Sequence, residues 1–573
     1  MAAEEIFALF DSLNLVSNLR LLPPKESPEK GNSFVVLKCS AQYSGGNVDL
    51  TIIFDNHFPL HKPIYVIDAD STLQSLPHIN PQGSICYMRD DEAIMDITNV
   101  RGIIEETFTS AIKTLDDGIA GNESDILDEF EVYWEYTKPH GLIYFLSDPN
   151  DNPRILHLSD ISGKFFAYDQ SFDFTEYARK AFPNLTNNDL IPAKYIPLQP
   201  GSKIVPPYNR QFWSHDEIVT NIFQNLSVQN KKRVHELVYR NHFDKDIIIV
   251  KVPQANGYSA LISLFYNNIP TNSKHPLINR HSLANVVPFA VKRADQSFVI
   301  PRGGGIMPLK RKKVLVIGAG SLGGHVVNEI AKTGVLNISI VDSDLLKIEN
   351  CYRHILGHEF LGKPKVDGLK EFIERNLPFT NITPISLSIE DAIDKDLIHW
   401  ENYDLVIVAT GNPTINLYLN KIIKTNFPKL PIIFSFLEPY GIGGHSLVVN
   451  NNLEKGCYQC LYSSEEAEEE GLYNKALFAR RGQYFAKSIS GCGSLFTPFG
   501  SIDAIQTAVS CVRIATDVLL KNETDNPLIS WRGDSSKLLT EGYEISERYS
   551  QTMEELFCNR YMYKYEKCKI CNP

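Results

Sequence analysis

The sequence predicts a multidomain protein with an N-terminal α+β domain, a connector domain and a C-terminal α/β domain. Its 573 residues exceed one compact core, because single domains hold about 150 residues on average. Hydrophobic residues make up 43% of the chain and charged residues 22%, which is typical of globular proteins and excludes extended disorder. After about residue 311, short strand-like runs give way to a regular strand–helix alternation, which is typical of a parallel sheet.

Residues 1–140 are predicted to form the α+β domain. A short amphipathic helix opens it, since Ile6, Leu9 and Phe10 have helical spacing. Strands are expected at residues 34–39, 48–54 and 64–67. A loop that contains Cys86 follows, and apolar spacing from Val100 to Leu115 predicts a second helix.

Residues 141–310 are predicted to be a connector with a scaffolding role, because they contain no recognisable catalytic constellation. Prolines crowd residues 192–207, which indicates an extended linker. Ser214 and Glu217 have the spacing of a capping box before a helix. Strands are expected at residues 246–252 and 260–266.

Residues 311–573 are predicted to form a mostly parallel sheet with helices on both faces. Buried-type strands are expected at residues 314–317, 338–341, 405–409 and 432–436, and helices at residues 325–331, 365–375 and 416–424.

Charge and hydropathy exclude several partners. A net charge of −12 argues against nucleic acid as a partner. No apolar run approaches the roughly 18–20 residues that span a bilayer, so no membrane association is expected. The acidic N-terminus lacks the features of a secretion signal, and ten cysteines are too few for a disulfide scaffold. These features predict a cytoplasmic protein.

A glycine-rich turn indicates a nucleotide site. Gly318, Gly320 and Gly323 follow a predicted strand and precede a predicted helix, where backbone amides and the helix dipole attract phosphate. Asp342 comes 19 residues later at a strand end, where a carboxylate can accept ribose hydroxyls. This pattern alone fits an NAD-dependent dehydrogenase equally well.

The residues that follow favour another class. Asp342, Asp344, Asn350, Arg353 and the stretch Gly362–Lys365 occur in the order D-x-D, N-x-x-R, G-x-P-K. This order resembles the ThiF-type adenylating enzymes, which include ubiquitin-activating enzymes and have a Rossmann-like fold. The resemblance implies ATP as substrate. When a carboxylate attacks the α-phosphate, cations must offset the negative charge of the phosphate. Arg353 and Lys365 are the candidate cations, and Asn350 is a candidate neutral donor.

The sequence also departs from that family. Where relatives carry an aspartate for magnesium in a T-D-N stretch, this chain has Thr410, Gly411 and Asn412. We therefore expect Asp344 and the nucleotide phosphates to hold Mg²⁺, with Asn412 beside the nucleotide. The upstream arginine that a partner subunit donates in the family is not recognisable, and Arg302 is no more than a guess at it.

Two C-x-x-C pairs predict a structural zinc site. Cys457 and Cys460 form the first pair, and Cys568 and Cys571 form the second, 108 residues further on. Four thiolates complete a tetrahedral site, and the resemblance implies that such pairs close the domain across long insertions. The site would fix the chain end to the core.

Two other cysteines are candidate nucleophiles. Cys492 lies between Gly491 and Gly493 ahead of a predicted helix, which favours a reactive thiolate. It resembles the catalytic cysteine of ubiquitin-activating enzymes. Cys86, in a loop with His78 and Asn80, resembles the active site of ubiquitin-conjugating enzymes. Asn80 lies closer to the cysteine than usual, so it is either an oxyanion donor or a turn residue, and His78 either braces the loop or acts as a base.

Together these modules resemble the bacterial fusions of ubiquitin-conjugating and ubiquitin-activating domains that occur in CBASS anti-phage operons. The resemblance implies that ATP adenylates the C-terminus of a protein modifier, a cGAS-like nucleotidyltransferase, and that Cys492 and then Cys86 carry the acyl group to a target lysine. It also implies a homodimer.

Three alternatives remain open. An adenylyltransferase could activate a sulfur-carrier protein, with residues 1–140 as a docking module. An NAD-dependent oxidoreductase would leave Arg353, Lys365 and Cys86 without a role. A catalytically inactive scaffold is consistent with Gly411.

Overall fold

A computed structural model describes most of the chain. The described residues are 3–23, 33–68, 73, 76–89, 94–121, 127–183, 190–202, 204–207, 212–239, 244–270, 273–450, 455–465, 471–488 and 495–571. The chain divides into two compact units, Met1–Phe172 with Asn188–Ala294, and Asp173–Asn187 with Asp295–Pro573.

The first unit begins with an α+β fold. Its elements are α1 (Ala3–Asp11), β1 (Ser17–Leu22), β2 (Ser33–Tyr43), β3 (Gly46–Asp55), β4 (Ile64–Ile67) and α2 (Val100–Ala120). The strands form an antiparallel sheet in sequential order. Alternating residues such as Leu50 and Ile52 pack with Phe10 of α1 and Phe108 of α2, because one face of the sheet is covered by helices. The strands and helices predicted here are confirmed.

A seven-stranded closed barrel fills the rest of the first unit. The barrel region contains α3 (Phe130–Tyr136), β5 (Leu142–Phe145), β6 (Arg154–Ile161), β7 (Lys164–Tyr168), β8 (Leu190–Pro197), α5 (His215–Gln224), α6 (Val228–Tyr239), β9 (Asp246–Pro253), β10 (Ser259–Asn267) and β11 (Asn285–Arg293). The strand order around the barrel is β10-β11-β5-β7-β6-β8-β9. Helix α4 (Phe174–Ala181) belongs to the second unit.

The proline-rich stretch departs from the prediction. Residues 190–197 form β8, which pairs with β6 and β9, and are not an extended linker. Pro192 and Pro197 lie near the ends of the strand, where a missing N–H costs fewest ladder bonds. The predicted capping box is confirmed, since Ser214 and Glu217 bond each other's backbone amides.

The second unit is built on a seven-stranded sheet. Its strands are β12 (Lys313–Ile317), β13 (Asn337–Val341), β14 (Asn381–Ile385), β15 (Leu405–Val408), β16 (Ile432–Leu437), β17 (Gly443–Val449) and β20 (Leu528–Arg532), and a separate hairpin pairs β18 (Lys487–Ser488) with β19 (Leu495–Phe496). The order is β14-β13-β12-β15-β16-β17-β20. The first five strands in this order pair in parallel, and β17 pairs antiparallel with both β16 and β20.

Helices cover both faces of this sheet, as predicted. They are α7 (Gln296–Arg302), α8 (Ser321–Lys332), α9 (Lys365–Asn376), α10 (Ile389–Asp394), α11 (Pro413–Asn426), α12 (Ser501–Leu520), α13 (Ser536–Thr540) and α14 (Met553–Cys558). Successive strand residues enter opposite cores: Val316 packs in one core, and Leu315 and Ile317 in the other. Among the described residues, no helix is long and apolar enough to cross a membrane.

Candidate functional site

The glycine turn lies where β12 meets α8, at the carboxyl end of the parallel strands. Gly318 has a φ of +96°, and a Cβ there would lie 2.7 Å from the Ala409 carbonyl oxygen. A Cβ on Gly323 would lie 1.8 Å from the Gly318 oxygen. A Cβ on Gly320 would have nothing within 4 Å. Two glycines thus allow close packing, and the third leaves an open approach to the helix N-terminus.

Asp342 and His354 hold the shape of this turn. The Asp342 carboxylate accepts hydrogen bonds from the Ala319 amide at 2.6 Å and the Asp344 amide at 2.7 Å. His354 donates from Nε2 to the Ala319 carbonyl at 2.8 Å, and its Nδ1 accepts from the Leu356 amide at 3.0 Å. Burial lowers the pKa of His354 to about 4, so the ring is neutral. Sequence reasoning missed His354, although it directly follows Arg353.

A cavity of about 460 Å³ opens beside the turn. Its lining includes Gly320, Asn350, Arg353, Lys365 and Thr410. The structure therefore brings the predicted glycine turn and both candidate cations to one place.

The two cations in this cavity differ in their bonding. Arg353 Nε is buried and has no hydrogen-bond partner among the described residues, and its guanidinium lies 5.1 Å from the Phe499 ring centroid. Lys365 is 8% exposed, and its Nζ lies 2.7 Å from Asp344 Oδ2. Because buried donors are nearly always paired, the bare Arg353 Nε indicates that an acceptor from a ligand belongs in this cavity.

The side-chain oxygens of both candidate asparagines are engaged locally. Asn350 Oδ1 accepts from the Lys347 amide at 3.1 Å. Asn412 Oδ1 caps α11 by accepting from the Thr414 amide at 3.0 Å. Gly411 has a φ of +67°, a backbone region that glycine enters without strain. Asp344, our candidate for magnesium, is bound instead to Lys365 in this structure.

A buried polar network that sequence reasoning missed lies at the cavity wall. Glu438 Oε1 and Oε2 accept from the amides of Phe478 at 2.6 Å and Ala479 at 2.8 Å. His445 Nε2 lies 2.8 Å from Glu438 Oε1. Burial lowers the pKa of His445, against the opposing effect of Glu438. A histidine inside the otherwise apolar strand β17 was the available signal.

The four predicted zinc ligands come together and are all buried. Cys457 Sγ lies 3.8 Å from Cys568 Sγ, and Cys460 Sγ lies 3.6 Å from Cys571 Sγ. A tetrahedral zinc with bonds of about 2.3 Å requires sulfur–sulfur distances of about 3.8 Å. The Asn420 side-chain amide donates to Cys457 Sγ at 3.5 Å, as expected beside a thiolate. The donor set and its spacing fit zinc.

Cys86 is exposed on a loop of the first unit. Its amide donates to the His78 carbonyl at 2.7 Å. Asn80 Oδ1 accepts from the amides of Gln82 and Ser84, each at 2.9 Å, which is the bonding of a turn residue. Thus Asn80 shapes the loop, and the Cys86 thiol is accessible.

Two further sequence candidates are Cys492 and Arg302. Cys492 lies outside the described residues. Arg302 is an exposed residue at the end of α7, where its guanidinium lies 5.7 Å from the Phe298 ring centroid.

Comparisons with known proteins match two parts of the chain to known families. Residues 298–514 match the ThiF family, and residues 27–143 match prokaryotic E2 family B. An Escherichia coli protein named ATP-dependent ubiquitin transferase-like protein Cap2 is 22% identical over 90% of this chain and 92% of its own. Uncharacterized protein y4qC of Sinorhizobium fredii is 26% identical over 44% of each chain, so the alignment spans less than half of that relative. A crystal structure of Escherichia coli MccB with ATP shares 20% identity over 46% of this chain and 68% of its own, at a TM-score of 0.32.

The ThiF-family match over residues 298–514 identifies an adenylating domain, and together with the similarity to Cap2 it supports an ATP-dependent transferase. In particular, the chain is a fusion of a ubiquitin-conjugating-like domain with a ubiquitin-activating-like, ThiF-type domain.

Proposed function

We propose that the chain activates the C-terminal carboxylate of a protein modifier with ATP and conjugates it to an amine of a target. The observation that carries the adenylation step is the buried Arg353 Nε, which has no hydrogen-bond partner in the described part of the chain and belongs to a residue that lines the cavity with Gly320. A triphosphate supplies the acceptor oxygens that this guanidinium lacks.

In the adenylation step, the modifier carboxylate attacks the α-phosphate, and pyrophosphate leaves. Gly318, Gly320 and Gly323 let the backbone approach the phosphates. Arg353 and Lys365 offset the charge that develops on the phosphate oxygens. Asp342, directly after β13, is the candidate acceptor for the ribose hydroxyls, and Asn350 and Asn412 shape the adjacent backbone. Magnesium, when bound, would further neutralise the phosphates, with Asp344 as its candidate ligand.

Two thioester transfers follow. The Cys492 thiolate attacks the acyl-adenylate and AMP leaves, and Cys86 then takes the acyl group while Cys492 regains a thiolate. A target lysine amine attacks the Cys86 thioester and forms an isopeptide bond. The E2-family match over residues 27–143 and the exposure of Cys86 support this relay over activation of a sulfur carrier, which leaves Cys86 without a task.

The finer identity of the system rests on its resemblance to CBASS fusions and on the similarity to Cap2. On that basis the modifier is a cGAS-like nucleotidyltransferase and the setting is anti-phage defence. We further propose a homodimer and a structural zinc ion on Cys457, Cys460, Cys568 and Cys571.

ATP–pyrophosphate exchange tests the adenylation step. The full chain is incubated with a candidate nucleotidyltransferase, or with the same protein lacking its last residues. We expect exchange only with the intact C-terminus, and loss of exchange in Arg353→Gln. Equal exchange with the intact and the shortened nucleotidyltransferase would contradict the proposal. Reduction of a nicotinamide nucleotide by the chain would also contradict it.

A further inference from the structure

The segment that follows α2 packs against the Cys86 loop. Glu129 precedes α3, and its Oε1 lies 3.1 Å from His78 Nδ1. The His78 amide donates to the Tyr133 hydroxyl oxygen at 3.3 Å. His78, whose carbonyl accepts the hydrogen bond of the Cys86 amide, is therefore held in place by two side chains from outside the loop.

His78 lies directly across from Cys86 in a short antiparallel pairing. Ile79 bridges Ile85, the Asn80 amide donates to the Ser84 carbonyl at 2.9 Å, and the Cys86 amide donates to the His78 carbonyl at 2.7 Å. Ile79 and Ile85 are each 4% exposed, whereas Cys86 is exposed. The imidazole of His78 and the thiol of Cys86 thus belong to residues that are joined directly by a backbone hydrogen bond across this pairing.

The backbone of His78 is unusual. Its φ is +61°, in the left-handed region that few non-glycine residues adopt. Such conformations concentrate at functional sites and persist only where surrounding contacts enforce them. Here Glu129, Tyr133 and Cys86 supply those contacts.

We propose that His78 is the general base for conjugation and that Glu129 is its positioning residue, an inference that rests on the proposed transfer through Cys86. Glu129 accepts the Nδ1 proton, which leaves Nε2 as the basic nitrogen. The target amine attacks the thioester carbon and loses a proton to Nε2. The carbon–nitrogen bond forms, the carbon–sulfur bond breaks, and Cys86 leaves as a thiolate.

Two tyrosines at this site, Tyr133 and Tyr136, stay protonated near neutral pH. Burial raises the pKa of Tyr133, and the charge of Glu129 adds to this effect. Burial also raises the pKa of Tyr136, to which a charged Cys86 contributes. Glu135, on the same helix, acts on Tyr136 only through its charge.

The test bypasses ATP and the modifier, so it stays informative if the proposed relay fails. In the full chain with Cys351, Cys492 and Cys558 replaced by serine, Cys86 is acylated directly with an acetylglycine thioester of mercaptoethanesulfonate. Discharge by n-butylamine is followed between pH 6 and 9 by mass spectrometry of the Cys86 peptide. General-base catalysis typically contributes about 10²–10⁴-fold.

We expect His78→Gly, which suits the positive φ, to slow discharge at least tenfold, and added imidazole to restore it. Glu129→Gln should slow discharge about tenfold and shift the pH midpoint, while Glu129→Asp recovers part of the rate and Glu135→Gln matches the parent protein. The double variant with His78→Gly and Glu129→Gln should discharge no more slowly than His78→Gly alone, because Glu129 acts through His78. The proposal would be overturned if imidazole did not restore the discharge rate of His78→Gly, or if the effects of the two substitutions multiplied in the double variant. It would also be overturned if the pH profile of Glu129→Gln equalled that of the parent protein.

Discussion

Lys365 Nζ lies 2.7 Å from Asp344 Oδ2, so the lysine predicted for phosphate and the aspartate predicted for magnesium bind each other in this structure. The lysine side chain is 8% exposed, whereas that of the aspartate is 67% exposed. The pair therefore fixes the ammonium group at the cavity wall and leaves the carboxylate open to solvent. Under the proposed function, the phosphate oxygens would bind this ammonium group, and Asp344 is the candidate ligand of a magnesium ion.

The first prediction concerns the two cavity cations. Lys365→Met and Arg353→Gln should each lower kcat/KM for ATP–pyrophosphate exchange by about 10²–10³-fold, the usual cost of removing one preorganised charge donor. Lys363→Met is the matched control, because Lys363 pairs with Glu371 at the surface. Equal activity of the Lys365 and Lys363 variants would contradict the assigned role.

The second prediction concerns the four-cysteine cluster. Cys460→Ser should remove about one zinc per chain in atomic emission measurements and lower the melting temperature of the second unit, because metal binding contributes to folding free energy. Cys558→Ser, at an exposed cysteine, should retain the zinc. A wild-type protein purified without zinc that melts no lower than the loaded form would refute a structural metal.

The third prediction concerns pH. The pKa of His354 in the folded chain is about 4, below the ordinary value of 6.5, so the unfolded state binds more protons between these values. The free energy of unfolding should therefore decrease as the pH falls from 6.5 toward 4. The contribution of His354 to this decrease is roughly 3 kcal/mol in total. His354→Gln keeps a donor for Ala319 and should flatten this pH dependence. The measurement is the melting temperature of the parent protein and of His354→Gln at pH 7 and at pH 5. An equal decrease of the melting temperature in both proteins would contradict the prediction.

The sequence predicted the elements whose signals are local. The glycine turn with Asp342, the strand–helix alternation after residue 311 and the paired cysteines all depend on short spacings, and the structure brings these groups together. Closure of the barrel was not predictable, because β11 pairs in parallel with β5, more than 140 residues earlier in the chain, a contact that periodicity does not encode.

Side-chain partners across the fold were also beyond sequence reasoning. Glu438 is assigned to the cavity wall only once β16 and β17 are paired, and His445 then reaches it. Glu129 likewise reaches His78 from 51 residues away. A polar residue in an apolar strand indicates that a partner exists without identifying it.

The central claim is that an acyl group activated by ATP passes from Cys492 to Cys86. The most direct measurement is mass spectrometry of thiol-sensitive adducts on the full chain with ATP, magnesium and the intact nucleotidyltransferase. We predict an adduct on both cysteines in Cys558→Ser, on Cys492 alone with no amine-linked product in Cys86→Ala, and on neither in Cys492→Ala. Amine-linked product from Cys86→Ala, or a full adduct on Cys86 in Cys492→Ala, would contradict the account.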